Sequence, residues 1–256
     1  MLNKNIGVLV PPANTTVEPE LWKLVPEGFT VLTNRLPGRV SENTSIGLRE
    51  RFLGYNETLA ESADSYGGLP LGALCFACTG SSYLIGAANE DVLLNRMRSG
   101  GTSVVNTAAQ CVSALLKTLG AHRIGIISPY PKWVTELAVV YWTECGFVAT
   151  GYQHVADVVS IYAINTDSVI EAARQVLESK PDVLLLSGTG MMSLDAIAQL
   201  SERVDVPAIS SNLAMSWWAT NTIEPGSWAR SPSAAMKSLL KRLPVGAVDP
   251  TQSGPA

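Results

Sequence analysis

Charge of either sign is scarce in this sequence. Charged residues make up 16% of its 256 positions, and the formal net charge is -4. There is no basic stripe, the usual electrostatic footprint of a nucleic-acid-binding surface. No block of like charge marks an interaction tail. Long apolar runs are missing too. None approaches the roughly 18 residues of a membrane span. The first apolar run, within Met1–Thr16, is about five residues, against roughly 7–15 in a secretory signal. The expectation is a cytoplasmic protein with neither nucleic acid nor membrane as a partner.

Histidine is nearly absent: only His122 and His154 occur. One precedes an expected strand and the other follows one, so a Ser-His-Asp triad has little support. Four cysteines, Cys75, Cys78, Cys111 and Cys145, do not make a disulfide framework in a chain of this length. Cys75 and Cys78 form a C-x-x-C pair. Thioredoxin-type pairs open a helix, whereas this one lies mostly on an expected strand, where i and i+3 point to opposite faces. No second Cys/His cluster completes a zinc site. Gly188-Thr189-Gly190 lacks the rest of a dinucleotide fingerprint, and no Walker lysine follows. Neither a metal nor an organic cofactor is expected.

What the chain does have is 46% hydrophobic residues in a regular alternation. Strands are expected at Ile6–Val10, Thr30–Asn34, Ala73–Ala77, Ser103–Asn106, Arg123–Ile127, Val148–Gln153, Asp182–Leu186 and Ala208–Ser210. Amphipathic stretches lie between them at Ser45–Ser65, Asn89–Arg98, Ala108–Leu119, Val134–Glu144, Asp167–Ser179 and Leu194–Arg203. This alternation predicts βαβ units and parallel sheets, with ligands beyond the carboxyl ends of the strands. The Pro/Gly-rich segment from Val245 reads as a disordered tail.

Two motifs recur in the same order. Ile6-Gly7-Val8-Leu9-Val10-Pro11-Pro12 matches Ile124-Gly125-Ile126-Ile127-Ser128-Pro129-Tyr130. Ala73-Leu74-Cys75-Phe76-Ala77-Cys78-Thr79-Gly80 matches Val183-Leu184-Leu185-Leu186-Ser187-Gly188-Thr189-Gly190. The expectation is an α/β protein of two similar halves related by a pseudo-twofold, with a central cleft. Residues 1–105 and 208–245 form the first half, 106–207 the second, and 246–256 the tail. Cys78 then faces Gly188 across the axis.

Cys78 ends an apolar strand and opens a Thr-Gly-Ser-Ser turn. Successive N–H groups there form an anion nest, which favours a thiolate; the alternative is a buried, inert thiol. Asn14, after Pro11-Pro12, is placed either to donate to a carboxylate or to cap a helix. Tyr130 aims its hydroxyl into the cleft or packs on the core. Arg35 either grips a carboxylate in a bidentate way or is a solvated surface residue. Cys111 and Cys145 read as packing residues. Trp133, Trp142, Trp217, Trp218 and Trp228 are candidate anchors of a homo-oligomer, or core residues.

Taken together, Val10–Glu18, Ala77–Gly80, Pro129-Tyr130, Leu186–Ile197 and Val206–Asn212 resemble the aspartate/glutamate racemase superfamily, in the branch of maleate cis–trans isomerases and arylmalonate decarboxylases. The resemblance runs from Ile6 to about Trp218. It implies two Rossmann-like halves and no metal or organic cofactor. Racemases and maleate isomerases of this kind use one cysteine per half, and the second position here is Gly188. In the decarboxylases the pattern is glycine first and cysteine second, so this chain resembles their mirror arrangement. Asn14 and Tyr130 match carboxylate-holding positions of the isomerases. Val158 and Ile161 resemble the apolar lining of the decarboxylases, as does the Pro11-Pro12 segment.

One cysteine is ill suited to two-base racemisation. Decarboxylation asks least of it: loss of CO₂ leaves an enediolate held by preorganised donors, and a thiol protonates the carbon as general acid. The expected activity is thus decarboxylation of an α-substituted malonate-like diacid by Cys78. Thr79, Gly80, Tyr130, Thr189 and Gly190 are the expected dioxyanion donors, and Val40, Val158 and Ile161 the apolar lining. Pro11, Pro12 and Gly188 also line the pocket, with Asn14 and Arg35 as carboxylate anchors. The alternatives are a maleate-type isomerase in which Cys78 adds to the alkene, and a non-catalytic protein that binds a small acid.

Overall fold

The structure, a computed structural model, describes residues 3–38, 44–155, 161 and 164–242. The tail 246–256, Val40 and Val158 lie outside the described residues. In chain order the elements run β1 (Asn5–Val10), α1 (Val17–Leu24), β2 (Thr30–Arg35), α2 (Ser45–Glu57), α3 (Leu59–Asp64), β3 (Ala73–Phe76), α4 (Thr79–Ile85), α5 (Glu90–Arg98), β4 (Val105–Thr107) and α6 (Ala108–Thr118). They continue with β5 (Arg123–Ser128), α7 (Lys132–Glu144), β6 (Val148–His154), α8 (Thr166–Leu177), β7 (Val183–Leu186), α9 (Leu194–Arg203) and β8 (Ala208–Ser210), which pairs with β7 although residues from 208 on were expected in the first half. Two further helices, α10 (Ser211–Ile223) and α11 (Ala234–Leu240), end the described chain.

Every strand expected from the sequence is present. They form two four-stranded parallel sheets, ordered β2-β1-β3-β4 and β6-β5-β7-β8. The order is the same in both, and so is the register of the central pairs; β5–β6 alone shifts register, between Ile124 and Gly125. Ile6 pairs with Ala73 and Leu9 with Phe76; Ile124 pairs with Val183 and Ile127 with Leu186. Beyond the strands, Ala77 N–H donates to the Leu9 carbonyl and Ser187 N–H to that of Ile127. Cys78 and Gly188, the next residues, therefore hold equivalent positions. Central strands such as β3, Ala-Leu-Cys-Phe, are wholly buried, as expected of parallel strands covered by helices on both faces. Gly7 and Gly125 recur for a steric reason. A Cβ on Gly7 would lie 2.6 Å from Leu71 Cδ1, and one on Gly125 would lie 2.4 Å from Val176 Cγ1.

Some expectations need correction. The stretch Ser45–Ser65 is two helices, broken at Thr58, whose hydroxyl donates back to the Gly54 and Tyr55 carbonyls. The Thr-Gly-Ser-Ser segment is not an open turn but the start of α4. Trp142, Trp217, Trp218 and Trp228 are core residues, and Trp133 is partly buried against the core. Trp22, 67% exposed, is the tryptophan that meets solvent. Helix α10 closes back over the first half, packing on α6, α1 and β3.

Candidate active site

The carboxyl ends of β1, β3, β5 and β7 converge where the halves meet. Cys78 leaves β3 in an extended conformation and occupies the N-cap position of α4. The second member of the C-x-x-C pair thus opens a helix after all, while Cys75 stays on β3 against Cys111. The Cys78 side chain is 3% exposed. Ser81 Oγ lies 3.3 Å from Cys78 Sγ and equally near the Phe52 carbonyl, so its proton serves one or the other. Burial is the main influence on the thiol and pushes its pKa up; the Ser81 hydroxyl and the Ser81 and Gly80 N–H groups pull less strongly the other way. The nest therefore does not make a thiolate. At neutral pH the group is S–H.

Across the junction, Thr79 Oγ1 and the Tyr130 hydroxyl are 3.2 Å apart. The Tyr130 ring meets Phe52 edge-on at 5.9 Å. A Cβ built on Gly188 would stand 3.4 Å from Tyr130 Cε2. One tyrosine thus spans the distance between the Cys78 turn and the Gly188 turn. Gly188 has φ +89, and its Cβ would fall 2.5 Å from Pro129 Cγ. The position of a second thiol is filled by Pro129.

Asn14 uses both ends of its amide within the protein. Its Oδ1 accepts from the N–H groups of Thr16 and Val17 at the head of α1. Its Nδ2 donates to Thr189 Oγ1 at 3.1 Å. Thr189 Oγ1 in turn donates to the Ala77 carbonyl at 2.7 Å. That hydroxyl proton is taken up, which leaves the Thr189 N–H as its contribution to a ligand. Neither the Thr189 nor the Gly190 N–H donates to an acceptor among the described residues. Ile161 is buried.

Arg35, expected as a second anchor, is engaged by protein groups. Its guanidinium donates to the Pro12 and Asn14 carbonyls at 3.0 and 2.8 Å and pairs with Glu18 at 2.7 Å. It braces the Pro11-Pro12 loop. Arg35→Met should lower the melting temperature while changing kcat and KM less than about threefold, because the lost bonds to protein groups are worth about 1–3 kcal/mol each. A hundredfold rise in KM would restore the anchor role.

Residues that sequence reasoning missed complete the junction. Tyr83 on α4 meets Ser187 Oγ at 2.7 Å, and Phe52 covers Gly80, where a Cβ would lie 2.3 Å from the ring. Ser81 was visible as the i+3 partner of Cys78 on a helix, once that helix is recognised.

Comparison with known proteins agrees with this geometry. The sequence model of the family described as arylmalonate decarboxylase matches residues 6–236. Arylmalonate decarboxylase of Bordetella bronchiseptica is 27% identical over 229 residues, covering 88% of this chain and 92% of its own. A maleate isomerase of Geobacillus stearothermophilus is 26% identical over 219 residues, covering 80% and 86%. Among solved structures, a liganded arylmalonate decarboxylase double mutant, glycine to cysteine and cysteine to serine, aligns with a TM-score of 0.74. Its identity is 25%, over 87% of this chain and 93% of that one.

Proposed function

The chain belongs to the arylmalonate decarboxylase family, and from that membership we propose that it is a cofactor-independent decarboxylase of an α-substituted malonate-like diacid, with Cys78 as sole proton donor. One observation carries the reading: the position equivalent to the Cys78 thiol is a glycine whose side-chain space is occupied by Pro129. Two-base chemistry has no second base there, whereas decarboxylation followed by one protonation needs none.

The steps follow from the groups present. One carboxylate of the substrate lies on the apolar side, near Ile161. The other is held by the Thr189 and Gly190 N–H groups, the Thr79 N–H at the head of α4, and Tyr130, with the remaining Asn14 amide proton. The bond to the apolar-side carboxylate breaks and CO₂ leaves. The electron pair passes into an enediolate, whose two oxygens these fixed donors stabilise. Cys78 S–H then transfers its proton to the carbon. Water reprotonates the sulfur after the product departs.

Incubation with phenylmalonate in D₂O tests this directly. The expected products are CO₂ and deuterated phenylacetate. With an α-methyl substrate, the chiral product should have the handedness opposite to that made by the Bordetella relative, because the thiol comes from the other half. No CO₂ release, or the same handedness, would defeat the proposal. A pH profile gives a second check. The acid form of Cys78 is the active one, and burial raises its pKa. The kcat for decarboxylation should therefore stay level through neutral pH and fall only above the ordinary thiol range. A fall that begins near pH 7 would contradict it.

A second reading is cis–trans isomerisation by Cys78 addition to an alkene, supported by the likeness to a maleate isomerase. Addition needs a thiolate, which burial opposes. Conversion of maleate to fumarate, abolished by Cys78→Ala, would favour it.

A further inference from the structure

The Thr189–Gly190 peptide is held from behind. Its Thr189 carbonyl accepts from Asn212 Nδ2 at 3.1 Å. The next carbonyl, of Gly190, accepts from Thr16 Oγ1 at 2.9 Å. No described peptide bond is cis, and in a planar trans peptide C=O and N–H point in opposite directions. Fixing the Thr189 carbonyl towards α10 therefore turns the Gly190 N–H away from α10. Gly190 is buried, and its N–H donates to no acceptor among the described residues. Unpaired buried N–H groups are rare, so this one reads as a donor kept for a ligand.

Asn212 is itself held by a carboxylate. Its Nδ2 donates to Glu20 Oε2 at 2.8 Å. Both partners of that amide nitrogen are acceptors, which fixes its orientation. Glu20 also accepts from the N–H groups of Ser193 at 2.5 Å and Leu194 at 3.1 Å, at the head of α9. It is 5% exposed. Burial pushes its pKa up while these donors pull it down. A side chain on α1 of the first half thus ties down α9, Asn212 and, through Asn212, the Thr189 peptide. The mechanism above uses neither residue.

We propose that Glu20 and Asn212 are positioning residues: they set the Thr189–Gly190 peptide so that the Gly190 N–H faces the carboxylate retained during decarboxylation. The proposal rests on the decarboxylase reading of this site. Neither residue touches substrate. Asn212 acts on the peptide, and Glu20 acts on Asn212.

The test compares Asn212→Ala and Glu20→Gln with Leu200→Ala, a core truncation on α9 that serves as a stability control. The first readout is kcat and KM on phenylmalonate together with the melting temperature. The second is titration of ¹⁵N-labelled protein with phenylphosphonate, a dianion probe, following the Gly190 amide resonance. Asn212→Ala should lose about 10–100-fold in kcat and at least tenfold in phosphonate affinity, with the Gly190 shift much reduced. Glu20→Gln should follow in the same direction. Leu200→Ala should lower the melting temperature comparably yet keep kcat within about twofold. If Glu20→Gln does not fold, Asn212→Ala alone decides. Wild-type kcat and phosphonate affinity in Asn212→Ala, or a loss no larger than in Leu200→Ala, would overturn the positioning role. Absence of CO₂ release from wild-type protein would defeat the decarboxylase reading instead, and the Gly190 titration would still judge the positioning.

Discussion

Cys78→Ala should lower kcat for arylmalonate decarboxylation by about 10²–10⁴-fold, the range associated with a single positioned acid. Two features make the expectation this large. The thiol is the one acid at the two equivalent turn positions, since the other is Gly188. It is also kept protonated by burial, so its loss removes the reacting form and not a minor species. Cys78→Ser should fall nearly as far, because a serine hydroxyl is a far weaker acid, although it fits the space and keeps a partner for Ser81. In both variants KM should move much less than kcat, since the carboxylate donors are untouched. Steady-state CO₂ release and near-ultraviolet circular dichroism would check rate and fold together. Retention of more than about a tenth of wild-type kcat in Cys78→Ala would remove Cys78 from the chemistry.

Gly188→Cys should destabilise the protein by about 2–5 kcal/mol and should not create a racemase. A non-glycine residue at φ +89 carries a steric cost of about 1–2 kcal/mol. The new Cβ would meet Pro129 Cγ at 2.5 Å and Cδ at 3.0 Å, and overpacking of this kind costs about 1–3 kcal/mol. Pro129→Ala removes both atoms. The double variant should therefore lose less than the sum of the single losses, by about 1–3 kcal/mol in a double-mutant cycle. Urea denaturation of the four proteins measures this. Full additivity would mean that Pro129 yields and the second position is open. Appearance of deuterium in both enantiomers of the product with Gly188→Cys alone would mean that a second thiol is accommodated and works.

The central strands β1, β3, β5 and β7 were legible as short apolar runs at the expected spacing, and the repeated Ile-Gly and Thr-Gly segments gave the pairing of the halves. The same repeat made Cys78 and Gly188 equivalent positions, which the matched bonds from Ala77 and Ser187 bear out. Other parts left no local trace. Helix α10 is buried on nearly every side, so it has no polar stripe by which a period could be read. Helix α4 begins with Thr-Gly-Ser-Ser, residues that favour turns, and only packing makes them helical. Glu20 looks like an ordinary acidic residue in the first turn of a helix. Its role depends on α9 and α10, more than 170 residues further along. Arg35 was legible as a cation at a strand end, but its partners are carbonyls of a neighbouring loop, which no spacing rule reveals.

The return of α10 sets a timetable for the newborn chain. Synthesis runs from the amino end, so β1 to α6 emerge long before the helix that covers α6 and α1. Until residues 211–223 leave the ribosome, those apolar faces have nothing from their own chain to lie against, and exposed surface of this kind invites aggregation. The half that is made first is completed by a segment made near the end.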